Sequence, residues 1–185
     1  MSEHGRLMSE HGHRMSGAAR RAVVVVASTS AASGSAADAT GPVIARWLAE
    51  HGWTVEAPVV VADGPPVTAA LRKAIAEDAA VVITTGGTGL SPDDATPEAT
   101  RAVLDRELPG IAEELRRRGA ASTPLALLSR GIAGVAGTTL IVNLPGSSGG
   151  VRDGLAVLGD VLDHAVAVIR GSADHGRRDW TVSDS

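Results

Sequence analysis

Ala79-Ala-Val-Val-Ile-Thr-Thr-Gly-Gly-Thr-Gly89 is the stretch on which the fold turns. Its first seven residues, 79–85, are small, apolar or β-branched, with no polar residue at alternate positions. A strand buried on both faces has this composition, and such strands belong to parallel sheets covered on both sides. Gly86 to Ala95 reads as a loop. Thr96-Pro-Glu98 then opens a helix, with Thr96 as N-cap and Pro97 at the first helical position. Strand, glycine-rich loop and helix in succession form the repeating unit of an α/β protein.

Toward the N-terminus, Ala22-Val-Val-Val-Val-Ala27 is a second run of the same kind. A loop of small residues (28–36) follows, and then a helix from about Ala37 to His51. That helix carries Ile44, Trp47 and Leu48 on one face, and Gly52 stops it. Residues 55–62 read as a strand interrupted by Pro58, which implies an edge position or a bend. Asp63-Gly-Pro-Pro66 ends it and opens a helix through about Glu77. Toward the C-terminus, 109–118 reads as a helix, 125–130 and 138–143 as strands, 145–150 as a turn and 151–169 as the last helix. The expectation is an α/β fold with a largely parallel sheet in one domain, 21–171. A repetitive leader (1–20, with MSEHG at 1–5 and again at 8–12) precedes it, and a polar tail (172–185) follows. Composition gives the leader no means of building a core, so disorder is expected there.

The 185 residues are 44% hydrophobic, yet contain no Phe and no Tyr, so the core must be built from Val, Ile, Leu and Ala. The formal charge of −4 and the three Trp argue against nucleic-acid partners, which call for basic surfaces or aromatic stacking platforms. The chain has no Cys, which excludes disulfides, thiol nucleophiles and Cys-ligated metal, and suits a reducing cytoplasm. No apolar run approaches the ~20 residues of a membrane span.

In open α/β sheets, ligands bind beyond the carboxyl ends of the strands. Segments 28–38, 85–96 and 143–150 all emerge there, and Asp63 ends another strand. Thr84-Thr-Gly-Gly-Thr-Gly89 suits an anion nest, because adjacent glycines let successive backbone N–H groups converge. A turn made only for chain reversal has the same composition. Neither the Walker A pattern nor the dinucleotide fingerprint is present, since no Gly-Lys-Ser/Thr exists and Pro92 stands where a third glycine belongs. Asp93 and Asp94 lie just past the loop, where two acids would repel an anion. A divalent cation removes the conflict, because Mg²⁺ takes one or two carboxylates together with phosphate oxygens. Asp94 with Asp63 forms the candidate pair, and Asp93 reads as turn chemistry. Gly146-Ser-Ser-Gly-Gly150 matches a nucleophile elbow at Ser148, but no later strand remains to deliver an Asp and a His. A turn that brings a helix N-terminus to phosphate is the better reading.

Thr84-Thr-Gly-Gly-Thr-Gly-Leu-Ser-Pro-Asp-Asp-Ala-Thr-Pro-Glu-Ala99, Leu128-Ser-Arg-Gly131 and Asn143-Leu-Pro-Gly-Ser147, in this order and spacing, resemble the MogA/MoaB family. That family comprises molybdopterin adenylyltransferases and close relatives, including the G domain of gephyrin. The resemblance covers roughly residues 22–170 and extends to Ser28–Gly41, with Asp38 and Gly41. It implies a three-layer αβα, molybdopterin-binding-like fold, usually a homotrimer. It also implies adenylyl transfer from Mg-ATP to the terminal phosphate of molybdopterin, with release of pyrophosphate and hand-off to a molybdate-inserting enzyme. On this resemblance Asp63 and Asp94 are catalytic and hold Mg²⁺. Ser28, Asp38, Thr85, Gly86, Gly87, Thr88, Gly89, Glu98, Ser129, Pro145, Gly146 and Ser147 contact nucleotide or substrate. Two departures stand out: Asp93 replaces the usual Arg, and Ser148 replaces a common Pro. A nucleotide-pyrophosphate hydrolase of related fold and a non-catalytic molybdopterin-binding trimer are the alternatives.

Overall fold

A computed structural model describes residues 20–172. Strand alternation sorts the valines of β1 (Arg21–Ala27): Val24 and Val26 join one apolar cluster, Val25 and Ala27 another. The same division runs through β4 (Val81–Thr85), with Val81 and Ile83 on the first side and Val82 on the second. It runs also through β7 (Thr139–Leu144), where Leu140, Val142 and Leu144 oppose Ile141. Two cores on one sheet require two covering layers.

The first layer contains α2 (Gly41–Glu50), α5 (Pro109–Ser122) and α6 (Ser148–Ile169), the second α3 (Pro65–Ala76) and α4 (Thr96–Arg101). Helix α1 (Thr29–Ala32) is a single turn after β1. This is the expected three-layer αβα arrangement. Each fully buried Val or Leu contributes roughly 1.5–3 kcal/mol, so an aliphatic core needs no Phe or Tyr. The short strands β2 (Thr54–Val55) and β3 (Val59–Val61) both pair with β1 in parallel, and β1–β4 and β4–β7 are parallel as well. Strands β5 (Arg106–Glu107) and β6 (Ala133–Ala136) add antiparallel ladders beyond β7. The order is β2-β1-β4-β7-β6-β5, so the carboxyl ends of β1, β3, β4 and β7 share one edge.

Several expectations are corrected. Residues 125–130 do not form a strand. Pro124–Leu128 is a 3-10 turn, capped through the Thr123 hydroxyl, with Leu125, Leu127 and Leu128 exposed at 70%, 61% and 50%. The apolar run imitated a buried strand, but the adjacent sheet position belongs to the small residues of β6. Pro58 divides the expected 55–62 strand into β2 and β3. Helix α2 begins at Gly41 rather than Ala37, because the Asp38 carboxylate caps it by accepting from the N–H of Thr40 and Gly41. Thr96 is not the N-cap of α4 but its first residue, with Ala95 as the cap. Helix α6 starts at Ser148, three residues early, because Ser147 accepts from Gly150 N–H and so caps it. Arg20, expected in the leader, belongs to the folded body. Its guanidinium donates to the His51 and Gly52 carbonyls and lies over the Trp53 ring at 4.4 Å. The rest of the leader (1–19) and residues 173–185 of the tail lie outside the described residues.

Lys73, the only lysine in the chain, stands on α3 with its side chain 76% exposed, 3.6 Å from Glu77. Among the described residues, no helix is long and apolar enough to cross a membrane.

Candidate active site

Gly86 and Gly87 follow β4 with φ of +89° and +62°, a left-handed pair that side-chain-bearing residues rarely adopt. Space confirms the need. A Cβ on Gly86 would strike the Ala27 carbonyl, and one on Gly87 would strike the Asp63 carboxylate and the Thr96 hydroxyl. A Cβ on Gly89 would come within 2.7 Å of Asp94 Oδ2. The glycines therefore let the β4 loop settle against both candidate carboxylates. Gly86 N–H is taken by the Leu144 carbonyl. The next three N–H groups, of Gly87, Thr88 and Gly89, find no acceptor among the described residues. Three successive donors without protein partners are what an anion nest presents.

Asp63 arrives from β3, where Gly64 at φ +86° turns the chain into α3. Its Oδ1 and the Thr96 Oγ1 are both buried and without a hydrogen-bond partner. Burial and then the nearby Asp94 charge push the Asp63 carboxyl above its ordinary range; the Thr96 hydroxyl, close by but outside hydrogen-bond geometry, acts the other way, and Asp93 adds a smaller push. Asp94 is partly buried and accepts from Ser91 N–H at 2.9 Å through Oδ2, which folds the loop back on itself. Asp93 is exposed. An orphaned buried oxygen beside a second carboxylate fits a cation. Among the described residues no group of three or more His, Cys, Asp or Glu gathers, so phosphate oxygens or water would have to complete a shell. That pattern suits Mg²⁺ better than a cation held by protein alone.

The β7 side closes the site. Thr85 Oγ1 donates to the Pro145 carbonyl at 2.8 Å, and Gly146 packs against Gly86. The N-terminus of α6, 22 residues long, thus abuts the β4 loop. Beyond this turn lies a small cleft of about 30 Å³, whose lining includes Leu115, Arg116, Ala126, Ser129, Asn143 and Pro145. Ser129 lies on the cleft, and Arg130 turns back to the loop.

The expected residues therefore divide by role. Asp63, Asp94, Gly86, Gly87, Thr88 and Gly89 converge. Ser129, Pro145, Gly146 and Ser147 border them. Thr85 is fully buried and ties the two segments together. The Ser28 hydroxyl caps α1 by accepting from Ala31 N–H, and Asp38 caps α2, so both are committed to helix starts. Glu98 lies on α4 and pairs with Arg130, which lowers its pKa. Ser148 begins α6, and His164 sits at an exposed position sixteen residues along the same helix, about 24 Å away at 1.5 Å per residue, so no hydrolytic pair forms. Arg130, Thr96 and Asn143 were missed. Asn143 donates to Thr84 and Thr100, 2.9 Å each, and accepts from Ile132 N–H, pinning α4 to the sheet. Asn143 and Arg130 stood inside motifs already noted, but apart from Ile132 their partners are 32 to 59 residues away, beyond any local pattern.

A three-layer αβα fold with an acid pair beside a glycine-rich loop sets the class: an open-sheet α/β protein whose distinctive residues lie beyond the carboxyl ends of its strands. Within that class the chain belongs to the family described as a probable molybdopterin binding domain, which matches residues 23–164. Among curated relatives, the molybdenum cofactor biosynthesis bifunctional protein of Synechococcus elongatus is 40% identical over 156 residues, 84% of this chain and 49% of that protein. The chain thus spans about half the length of that relative. The molybdopterin adenylyltransferase of Haemophilus influenzae is 33% identical over 136 residues, covering 71% of this chain and 69% of its own. A solved structure of MogA superposes with TM-score 0.80 at 57% identity over 81% of this chain and 99% of its own. The Mog protein from Mycobacterium ulcerans superposes with TM-score 0.79 at 55% identity, over the same shares.

Proposed function

We propose that the protein is a molybdopterin adenylyltransferase. It moves the adenylyl group of ATP onto the terminal phosphate of molybdopterin, in the synthesis of molybdenum cofactor. The observation that carries this reading is the convergence of Asp63 and Asp94, from separate elements, on the three unpaired N–H groups of Gly87, Thr88 and Gly89. The adenylyltransferase relative supports the choice of nucleotide and acceptor.

In this reaction a phosphate oxygen of molybdopterin attacks the α-phosphorus of ATP. A new P–O bond forms, the bond from the α-phosphorus to the bridging oxygen breaks, and pyrophosphate leaves with that electron pair. The chain supplies no nucleophile and needs none, since such transfers rest on positioning and charge neutralisation. The β4 loop donates N–H groups to phosphate oxygens, and the α6 N-terminus adds a positive dipole end. Asp63 and Asp94 would hold Mg²⁺, which when bound neutralises charge on the phosphates. The organic part of molybdopterin would lie against the surface formed by Ser129 and the Pro145–Ser147 turn, which borders the glycine loop. We infer a homotrimer in solution and a product passed to a molybdate-inserting reaction. Purified protein incubated with Mg-ATP and molybdopterin should yield adenylyl-molybdopterin and pyrophosphate in equal amounts. AMP formed without molybdopterin would favour the hydrolase, and no turnover at all would favour a binding protein.

A further inference from the structure

The donors of Arg130 are directed at the loop that carries Asp94. Its N–H donates to the Thr88 carbonyl at 2.8 Å, Nε to the Gly89 carbonyl at 2.8 Å and one terminal nitrogen to the Asp94 carbonyl at 2.6 Å. The other terminal nitrogen donates to Glu98. Arg130 is itself fixed from the far side. Arg116 of α5 holds the carbonyls of both neighbours, Ser129 and Gly131, at 3.3 and 3.0 Å. A connected path therefore runs from α5 through 129–131 to the glycine loop and its aspartate. A planar guanidinium spreads its donors over three nitrogens and so spans acceptors that the three donors of a single ammonium nitrogen cannot all reach.

We propose that Arg130 is the positioning residue of the site. It sets the glycine loop and Asp94 against Asp63, and Glu98 acts through Arg130 by orienting it rather than by touching nucleotide. This rests on the adenylyl-transfer reading. A loop held in place matters most when the reacting phosphates must align, so its loss falls on the chemical step.

The test compares wild type with R130Q, R130K and E98Q by two measurements. In steady-state assays R130Q should lose about 10²-fold in kcat while KM for Mg-ATP changes by less than about threefold. R130K should recover little, and E98Q should lose less than R130Q. Unchanged kcat in R130Q, or full recovery in R130K, overturns the proposal. Amide hydrogen exchange, which needs no turnover, should show faster exchange at 88–94 in R130Q, with β4 and β7 still protected. Unchanged exchange at 88–94 overturns it, and so does lost protection across β4 and β7, which would make Arg130 a residue of the fold. An inactive wild type would remove the adenylyl-transfer reading, while the exchange comparison would still decide whether Arg130 holds the loop.

Discussion

Asp63 places a carboxylate where the protein gives its buried oxygen no well-formed hydrogen bond. Its raised pKa means that the folded chain holds this proton more tightly than the unfolded chain does. The sign follows: stability contributed by the protonated form is present at low pH and is lost as pH rises above the ordinary Asp range. Asp63→Asn should therefore melt higher than wild type at pH 7, with the gap closing toward pH 4, while adenylyl transfer is lost. Thermal melts at several pH values check this, and equal melting temperatures at pH 7 would remove the electrostatic account. Asp94→Ala should lose transfer by orders of magnitude with the fold intact, since a cation ligand contributes several kcal/mol, about tenfold in rate for each 1.4 kcal/mol. Near-normal turnover by the folded variant would deny the role. Asp93 is different, being exposed and only a minor influence on Asp63. Asp93→Arg should keep activity and lower KM for Mg-ATP, because a guanidinium can meet phosphate where a carboxylate repels it. Collapse of turnover at every Mg²⁺ concentration would make Asp93 a ligand after all. The acids and glycines were legible in the sequence because their residue types are scarce in combination. The orphaned Thr96 hydroxyl was not, because Thr96 equally resembled a cap.

At the level of elements, the long buried runs announced themselves. β1, β4 and β7 have apolar side chains on both faces, a pattern that few other structures need. The 3-10 turn misled because Leu125, Leu127 and Leu128 are apolar yet exposed, and composition says nothing about which side of the sheet a segment reaches. The two-residue strands β2 and β5 gave no period to read. Arg20 shows the limit most plainly. It closes the end of α2 through two carbonyls and covers Trp53, contacts that no pattern near residue 20 signals. Arg20→Ala should destabilise the fold by about 1–2 kcal/mol, from lost hydrogen bonds and the cation–π contact. A chain shortened by residues 1–19 should keep that stability, and chemical denaturation of the two variants separates the contributions. Loss of stability in the shortened chain equal to that of Arg20→Ala would show that Arg20 is not the anchor.

For the whole molecule, the sheet order gathers the site at one edge, and one protomer already contains every residue the proposed chemistry uses. The proposed trimer would therefore concern stability and the surroundings of the site, not its completeness. Light scattering coupled to size exclusion should report three chain masses. A variant with Leu125 and Leu127 changed to Ser should keep the melting behaviour of the single chain, because these side chains lie outside both cores. Strong destabilisation of that variant would mean that the turn is buried in the assembly.

The single lysine has a practical result. Lys73 lies on the last turns of α3, whereas Asp63 stands two residues before the start of that helix. Eight residues of helix separate Lys73 from Pro65, about 12 Å at the usual rise. An amine-reactive dye would thus modify one side chain per chain, besides the terminal amine, at a point remote from the glycine loop. Such a label leaves the reacting edge clear and gives each protomer one optical reporter. Energy transfer between reporters could then follow assembly while turnover proceeds.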